Sequence, residues 1–469
     1  MTEYGILSLL PAVVAVVLSF LTREALFSIL CGVLVGIVIS GQNLLFGFSR
    51  IVQGALGNEE FMWVVAIEVF IGIMVAFFQK SGAIDSVSKF LNEKLRITAR
   101  LVKVVSVLLG VFIFFSDYFS PLFVGSVMRP ITDRARISRE KLAFLCHCTS
   151  SPKCILIPWA AWGVYVAGLL AAVSQFGSLD AGMKTVIGSM PFQFYGILTL
   201  LYVILNACGV LPDFGPMRRA ERRARETGQV VAEGDTPMLS KELDEITPLA
   251  PRSSSIVLHF AMPALIVVAV AVWTWVATGS AKVLESFIVA VFYQAVVLLC
   301  QRAFTIPEMM QVVVKGIKSV MGAILILALA YCINSISKTL GTSDYVISIT
   351  QSWITPTTLL ALTFLVSAFM SFFTGTSWGV YAIMIPIVMP IALKVSGGST
   401  SAPVVCATVA AVMGGGCFGD HCSPLSDTTV ISSLGAGSDL LAHVKTQLPY
   451  ALVVAALTCA LYTTIGFIF

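Results

Sequence analysis

The side chains best suited to chemistry in this chain fall into two short runs set in apolar sequence. The richer is Gly414-Gly415-Gly416-Cys417-Phe418-Gly419-Asp420-His421-Cys422-Ser423-Pro424-Leu425-Ser426-Asp427-Thr428-Thr429, in which two carboxylates, a histidine and four hydroxyls fall within residues 420–429. Its glycines permit unwinding and close backbone approach, and Pro424 lacks a backbone donor, so a helix entering the run is expected to break. Freed carbonyls, hydroxyls and carboxylates are hard oxygen ligands that suit sodium better than a soft metal. Half-helix ends add dipoles, C-terminal ends favouring cations and N-terminal ends anions. The second run holds His147, Thr149, Ser150, Ser151 and Lys153.

Two further polar interruptions carry hydroxyls or a carboxylate: Ser116-Asp117-Tyr118 and Thr374-Gly375-Thr376-Ser377-Trp378-Gly379. Pairing each interruption with the run in the same half predicts one oxygen-rich site from 116–120 plus 149–152, and another from 374–377 plus 420–428. The expected cation ligands are Ser116, Asp117, Thr149, Ser150, Ser151, Thr374, Thr376, Ser377, Asp420, Ser423, Asp427 and Thr428. Glu68, alone in an apolar segment, is expected to carry or exchange a proton, to stay protonated, or to pair with Lys153. His147 and His421 are proton-carrying candidates because imidazole titrates near neutral pH. Lys153 and Trp378 are expected to face a substrate. The competing structural readings are helix caps or a His421 pair for Asp420 and Asp427, and hairpin backbone hydrogen bonds for Asp117. Asn334 and Ser335 read as packing groups, and Trp159, Trp162, Trp273 and Trp275 as interfacial or packing residues. Cys146-His147-Cys148 and His421-Cys422 lack the ligand spacing of a structural zinc site.

The elements that position these residues must be membrane helices. Hydrophobic residues make up 57% of the 469-residue chain and charged residues 12%, against about 25% charged in soluble domains; mean hydropathy is +0.93. A charge at the centre of a bilayer costs at least about 2.5–3.5 kcal/mol, so each buried ionisable group needs a paired charge, a bound cation or a water-filled cavity. The net charge of +4 requires no nucleic-acid partner. The 11 cysteines lie mostly in apolar segments and predict no disulfide framework. The start of the chain has neither a basic n-region nor a small-residue cleavage site, and is not read as a removed signal peptide.

Plain crossings are expected at about 5–22, 24–41, 61–79 and 193–210, and again at about 256–277, 283–300, 319–337 and 446–468. The segment at about 104–128 is flanked by basic residues at both ends, which the positive-inside rule disfavours for a crossing. It is also interrupted at Ser116-Asp117-Tyr118 and Pro121, so it reads as a re-entrant hairpin, with a second at about 358–393. Broken helices are expected at about 141–172 and 402–434, and a solvated cytoplasmic linker with an arginine run at 212–255. Gly82 and Asp85 recur as Gly341 and Asp344, Phe114-Phe115-Ser116 as Phe372-Phe373-Thr374, and His147-Cys148 as His421-Cys422. The expected fold is therefore an all-α polytopic membrane protein of two inverted repeats, 1–211 and 256–469. Each has five crossings, including one broken helix, plus one re-entrant hairpin.

The stretch Gly419-Asp420-His421-Cys422-Ser423-Pro424-Leu425-Ser426-Asp427-Thr428-Thr429 closely resembles the signature of the NhaC family of sodium/proton antiporters, within the ion transporter superfamily. The resemblance implies sodium-coupled transport by an elevator-like movement, with sodium at the hairpin tips 116–120 and 374–377. It also implies a homodimer in a bacterial inner membrane, with lipid, sodium, and protons or a small organic solute as partners and no cofactor beyond the coupling ion. Two functions stay open: sodium/proton antiport, with Asp420, Asp427 and Asp117 binding sodium or protons in competition, and sodium-coupled transport of an amino acid or small carboxylate. An ion channel fits less well, since opposed hairpins facing broken helices suit alternating access. No zincin motif or serine or aspartyl catalytic pair points to an enzyme.

Overall fold

A computed structural model describes residues 4–22, 24–83, 86, 98–113, 117, 119–158, 161–171, 173, 175–238, 246–248, 255–278, 282–350, 353, 355 and 357–468. Ser116, Tyr118, Asp85 and Trp159 lie outside the described residues, as do Lys89, Lys94, Arg96 and parts of the 212–255 connection.

Every regular element among the described residues is helical. The first half holds α1 (Leu10–Thr22), α2 (Ala25–Ile39), α3 (Leu44–Leu56), α4 (Glu59–Lys80), α5 (Ala99–Phe112), α6 (Phe119–Arg134), α7 (Arg139–Cys148), the single turn α8 (Ser151–Cys154), α9 (Ala161–Ala171), α10 (Leu179–Ser189) and α11 (Phe194–Ala207). After α12 (Gly215–Thr227) come α13 (Met262–Thr278), α14 (Val283–Cys300), α15 (Ile306–Thr339), α16 (Thr342–Thr350), α17 (Leu359–Thr374), α18 (Ser377–Val395), α19 (Pro403–Cys422), α20 (Asp427–Ala436) and α21 (Leu440–Gly466).

Among the described residues, five helices are long and apolar enough to cross a membrane, or up to eight if each bent pair is one span. Ten were expected from sequence. A length criterion passes over crossings whose helices are broken or short, and α14 and α17 fall in that shorter class.

Four helices were not foreseen: α3, α10, α12 and α16. The first turns 118° away from α2 instead of prolonging it. It starts where Asn43 accepts from the backbone N–H groups of Leu45 and Phe46, an N-cap that fixes the new direction. Helix α15 begins well before the expected 319 because Thr305 and Glu308 form a capping box, with Pro307 in its first turn.

Small residues set the close crossings. A Cβ on Gly72 of α4 would stand 2.3 Å from the Gly316 carbonyl of α15, and one on Gly435 of α20 would stand 2.4 Å from the Pro121 carbonyl of α6. Backbones meet there directly, as they do in lipid-exposed bundles where apolar burial alone does not drive association. Among the described residues one apolar core joins α1–α4 and α13–α15 with parts of α6, α7 and α20; a second is built mainly from α9, α10, α17, α18 and α19; a smaller third joins α5, α7, α11, α12 and α21.

The polar connection is more than a solvated linker. Met217, Ala220, Glu221 and Ala224 form the buried face of α12, while Arg218, Arg219, Arg222 and Arg225 stay exposed. Ser138 donates to Glu221 Oε1 through both its backbone N–H and its hydroxyl, at 2.9 Å each. Arg223 bonds both Glu140 oxygens at 2.9 and 3.0 Å. Just before α12, Asp213 pairs with the fully buried Lys141 ammonium at 2.6 Å and accepts from Asn206 and Tyr450. Burial pushes the Asp213 carboxyl up, but Lys141 and the hydrogen bonds from Lys141, Asn206 and Tyr450 outweigh it and hold the pKa below its usual value.

A depressed carboxyl pKa contributes stability above the unfolded value, and that stability is lost as pH falls through the folded one. Replacing Asp213 with alanine strands the Lys141 charge, so a cost of about 3 kcal/mol is expected. In detergent, Asp213→Ala should melt several degrees below wild type at pH 7, with the gap closing below about pH 4. Equal melting temperatures at pH 7 would show that this pair does not hold α12 in place.

Candidate functional site

The break between α19 and α20 spans Ser423–Ser426 and brings a helix C-terminus and a helix N-terminus together. Asp420, in the last turn of α19, is 1% exposed. Its carboxylate accepts from the hydroxyls of Ser426 and Thr428, at 2.7 Å each, and its backbone carbonyl accepts from Thr429 at 3.2 Å. These short O–H···O bonds are the charge-assisted kind that compensate a buried carboxylate. Asp427 opens α20, where it accepts from the Thr428 backbone N–H at 2.7 Å.

Of the two expectations for the glycines, unwinding is not met and close backbone approach is. Helix α19 runs unbroken through Gly414–Gly416 and Gly419, and these positions instead allow close packing. A Cβ on Gly415 or Gly419 would lie 2.3 Å from the carbonyls of Phe364 or Ala368 in α17.

The second hairpin tip clasps this break. Gly375 ends α17 with φ +70°, and a Cβ there would meet the Leu425 carbonyl at 2.5 Å. The strained backbone and the missing side chain are thus both required. Ser423 donates to the Phe372 carbonyl at 2.6 Å and Ser371 to the Gly416 carbonyl at 2.7 Å. Thr374 bonds back to the Met370 carbonyl and Thr376 caps α18, while the Tyr381 hydroxyl donates to the Met413 carbonyl. The tip and break therefore come together, yet these hydroxyls bond mainly backbone and not the Asp420 carboxylate.

The first half has the same juxtaposition with different chemistry. Thr149 bonds back to the Leu145 and Cys146 carbonyls and Ser150 to that of His147. The Ser151 hydroxyl is buried without a hydrogen-bond partner among the described residues. Asp117 accepts from the Trp162 indole at 2.9 Å. Trp378 packs on Tyr165 and Trp162, with ring centroids 4.8 and 5.9 Å apart, so it joins the second hairpin to the first half. Lys153 donates to the carbonyls of Gly110 (2.6 Å) and Ile113 at the end of α5, and to Ser120. Both oxygens of the fully buried Glu68 lack hydrogen-bond partners among the described residues, so the alternative of a Glu68–Lys153 pair is not realised. Glu68 instead lies in the field of Asp427, and Asp420 in the fields of Asp427 and Asp117.

Between the two breaks runs a buried hydrogen-bonded chain. Thr428 Oγ1 lies 3.1 Å from His147 Nε2, and His147 Nδ1 lies 3.1 Å from His443 Nε2 and 3.0 Å from Gln447 Nε2. Because Thr428 spends its proton on Asp420, His147 must donate from Nε2 and accept at Nδ1 from His443 and Gln447. The pattern thus assigns a neutral tautomer to His147. His421 does not pair with either aspartate: its Nδ1 is 2.8 Å from the Tyr195 hydroxyl and its Nε2 is 3.5 Å from Cys148 Sγ. The His147 and His421 rings are 4.3 Å apart.

Sequence reasoning missed His443, Gln447, Tyr195 and the Asp117–Trp162 bond. His443 and Gln447 stand four apart in an apolar segment, hence on one helix face, and that spacing was a usable signal. Tyr195 offered none, since a lone tyrosine in a membrane segment is ordinary.

Thr428→Val would leave Asp420 one donor short and His147 without an acceptor, at a cost of about 1–3 kcal/mol. Thr428→Ser keeps the hydroxyl and should melt close to wild type, well above Thr428→Val. Coincident melting curves for the two variants would contradict the assigned bonds.

The family model described as "Na+/H+ antiporter family" matches residues 153–467. A Haemophilus influenzae protein of uncharacterised function is 30% identical over 98% of this chain and 91% of its own length. The malate-2H+/Na+-lactate antiporter of Bacillus subtilis is 29% identical over 38% of this chain and 37% of its own. The Na+/H+ antiporter NhaC of Alkalihalophilus pseudofirmus is 30% identical over 33% and 32%.

Proposed function

The chain belongs to the Na+/H+ antiporter family, a family of multi-pass membrane transporters, and on that premise we propose that it exchanges sodium for protons at the Asp420–Asp427 break. The observation that carries this reading is the unbroken buried contact from the Asp420 carboxylate through Thr428 to His147. With Asp420 ionised, Thr428 and Ser426 both donate to it, and the carboxylates of Asp420 and Asp427 with the break's hydroxyls and carbonyls form a hard oxygen set for sodium. A proton on Asp420 reverses the polarity. That state forms as a proton entering at His443 Nδ1 shifts each link in turn: His443 gives its Nε2 proton to His147 Nδ1, His147 its Nε2 proton to Thr428 Oγ1, and Thr428 its hydroxyl proton to Asp420; release runs the same steps backward. One carboxylate cannot hold both ions at full occupancy, because a bound cation stabilises its ionised form. Asp117 adds negative field, and His421, hydrogen-bonded to Tyr195, lies beside the break.

The same reading takes the molecule as two inverted repeats, 1–211 and 256–469, joined by 212–255. Their likeness is supported by a tip-on-break contact in each half. The separation of the two larger apolar cores favours an elevator-like movement of one against the other, in a homodimer of the bacterial inner membrane. A second reading, sodium-coupled exchange of a small carboxylate, draws support from the similarity to the malate-2H+/Na+-lactate antiporter.

Purified protein in liposomes, with internal pH followed under an imposed sodium gradient, tests the choice. Sodium-driven proton flux is expected without added solute, reduced at least about tenfold in Asp420→Asn and Asp427→Asn, the scale of 1.4 kcal/mol or more. Proton flux that appears only when malate or lactate is supplied would establish the second reading. Undiminished flux in both variants would remove the site from the account.

A further inference from the structure

At the first hairpin tip an ammonium group already occupies a place built for a cation. Helix α5 ends at Phe112 with no basic residue in its last turn, leaving a negative dipole end inside the bundle. Lys153, 3% exposed, reaches that end from α8. Its Nζ donates to the Gly110 carbonyl at 2.6 Å, to the Ile113 carbonyl, and to Ser120 Oγ at 3.4 Å. Ser120 in turn donates to the Gly110 carbonyl at 3.2 Å, and the Asp117 carboxylate acts on the ammonium through space. Two carbonyls and a hydroxyl with a carboxylate nearby are hard oxygen donors, the set a sodium ion would take. The fit is close on both sides, since a Cβ on Gly110 would lie 2.0 Å from Thr149 Oγ1.

The other half differs in charge at the matching place. Six residues after His147 stands Lys153, and six residues after His421 stands Asp427. The second tip and break are clasped by serine–carbonyl bonds instead. We propose that Lys153 is a tethered cation that permanently fills the first hairpin tip, so that the protein needs no mobile ion there and exchanges its cation only at the Asp420–Asp427 break. This rests on the sodium/proton reading for the second half of the claim and corrects the expectation of sodium at both tips.

Hydrogen exchange of peptides covering 104–123, in full-length protein, tests it. In wild type and in Asp427→Asn, exchange at this tip should be the same in sodium chloride and in choline chloride. In Lys153→Ala it should be at least tenfold faster in choline and return toward wild type with sodium or methylammonium, either of which fits the emptied cage. If Lys153→Ala does not fold, Lys153→Gln keeps the length and a donor without the charge and is read in the same way. Tip protection in wild type that already depends on sodium would overturn the proposal. So would variants whose tip, or whose folding, neither cation restores. Failure of the exchange reading is separately visible: Asp427→Asn would keep its sodium-driven proton flux while the tip behaves as described.

Discussion

The Asp420 carboxylate is buried, with its residue only 1% exposed, and a carboxylate held in an apolar bundle needs partners for its charge. Much of the local structure follows from that need. The helix breaks at Ser423 so that Ser426 and Thr428, one turn further on, can turn their hydroxyls back onto it. A break exposes backbone groups, which must be covered in turn. The α17–α18 tip covers them through Ser423, Ser371 and the left-handed Gly375, and the glycines of α19 let α17 come close enough to do it. The neutral His147 tautomer is a further consequence, because the direction of the Thr428 hydroxyl is already taken.

The two halves meet this constraint in different ways. In the second, opposed helix ends enclose carboxylates, a place suited to an exchangeable cation. In the first, the end of α5 is answered by a lysine from the same chain, and Asp117 is held by Trp162. Trp378 packs across from the second hairpin onto Trp162 and Tyr165, which ties the aromatic support of Asp117 to the opposite tip.

Much of this was legible in the sequence because polar groups in apolar runs are costly and therefore conspicuous. Residues 420–429, the breaks near 149–152 and the tips all stood out on that ground, and the structure brings each described tip against the break of its own half. Less was legible where one residue type serves two purposes. Glycines read as serving both unwinding and close approach serve only the second, in an intact helix, and Lys153 read as facing a substrate is turned into a helix end. Amphipathic helices such as α3 and α12 carry no long apolar run, and were passed over in favour of loops. His443 and Gln447 went unnoticed because their roles depend on partners about 300 positions away in the chain.

Competition between sodium and a proton for one buried carboxylate site is tested by proton release on adding sodium to purified protein in weak buffer near neutral pH. Wild type should release protons in a saturable manner with sodium, and Asp420→Asn should release few or none while keeping its melting temperature. Sodium binding detected by calorimetry with no proton release from wild type would contradict the account.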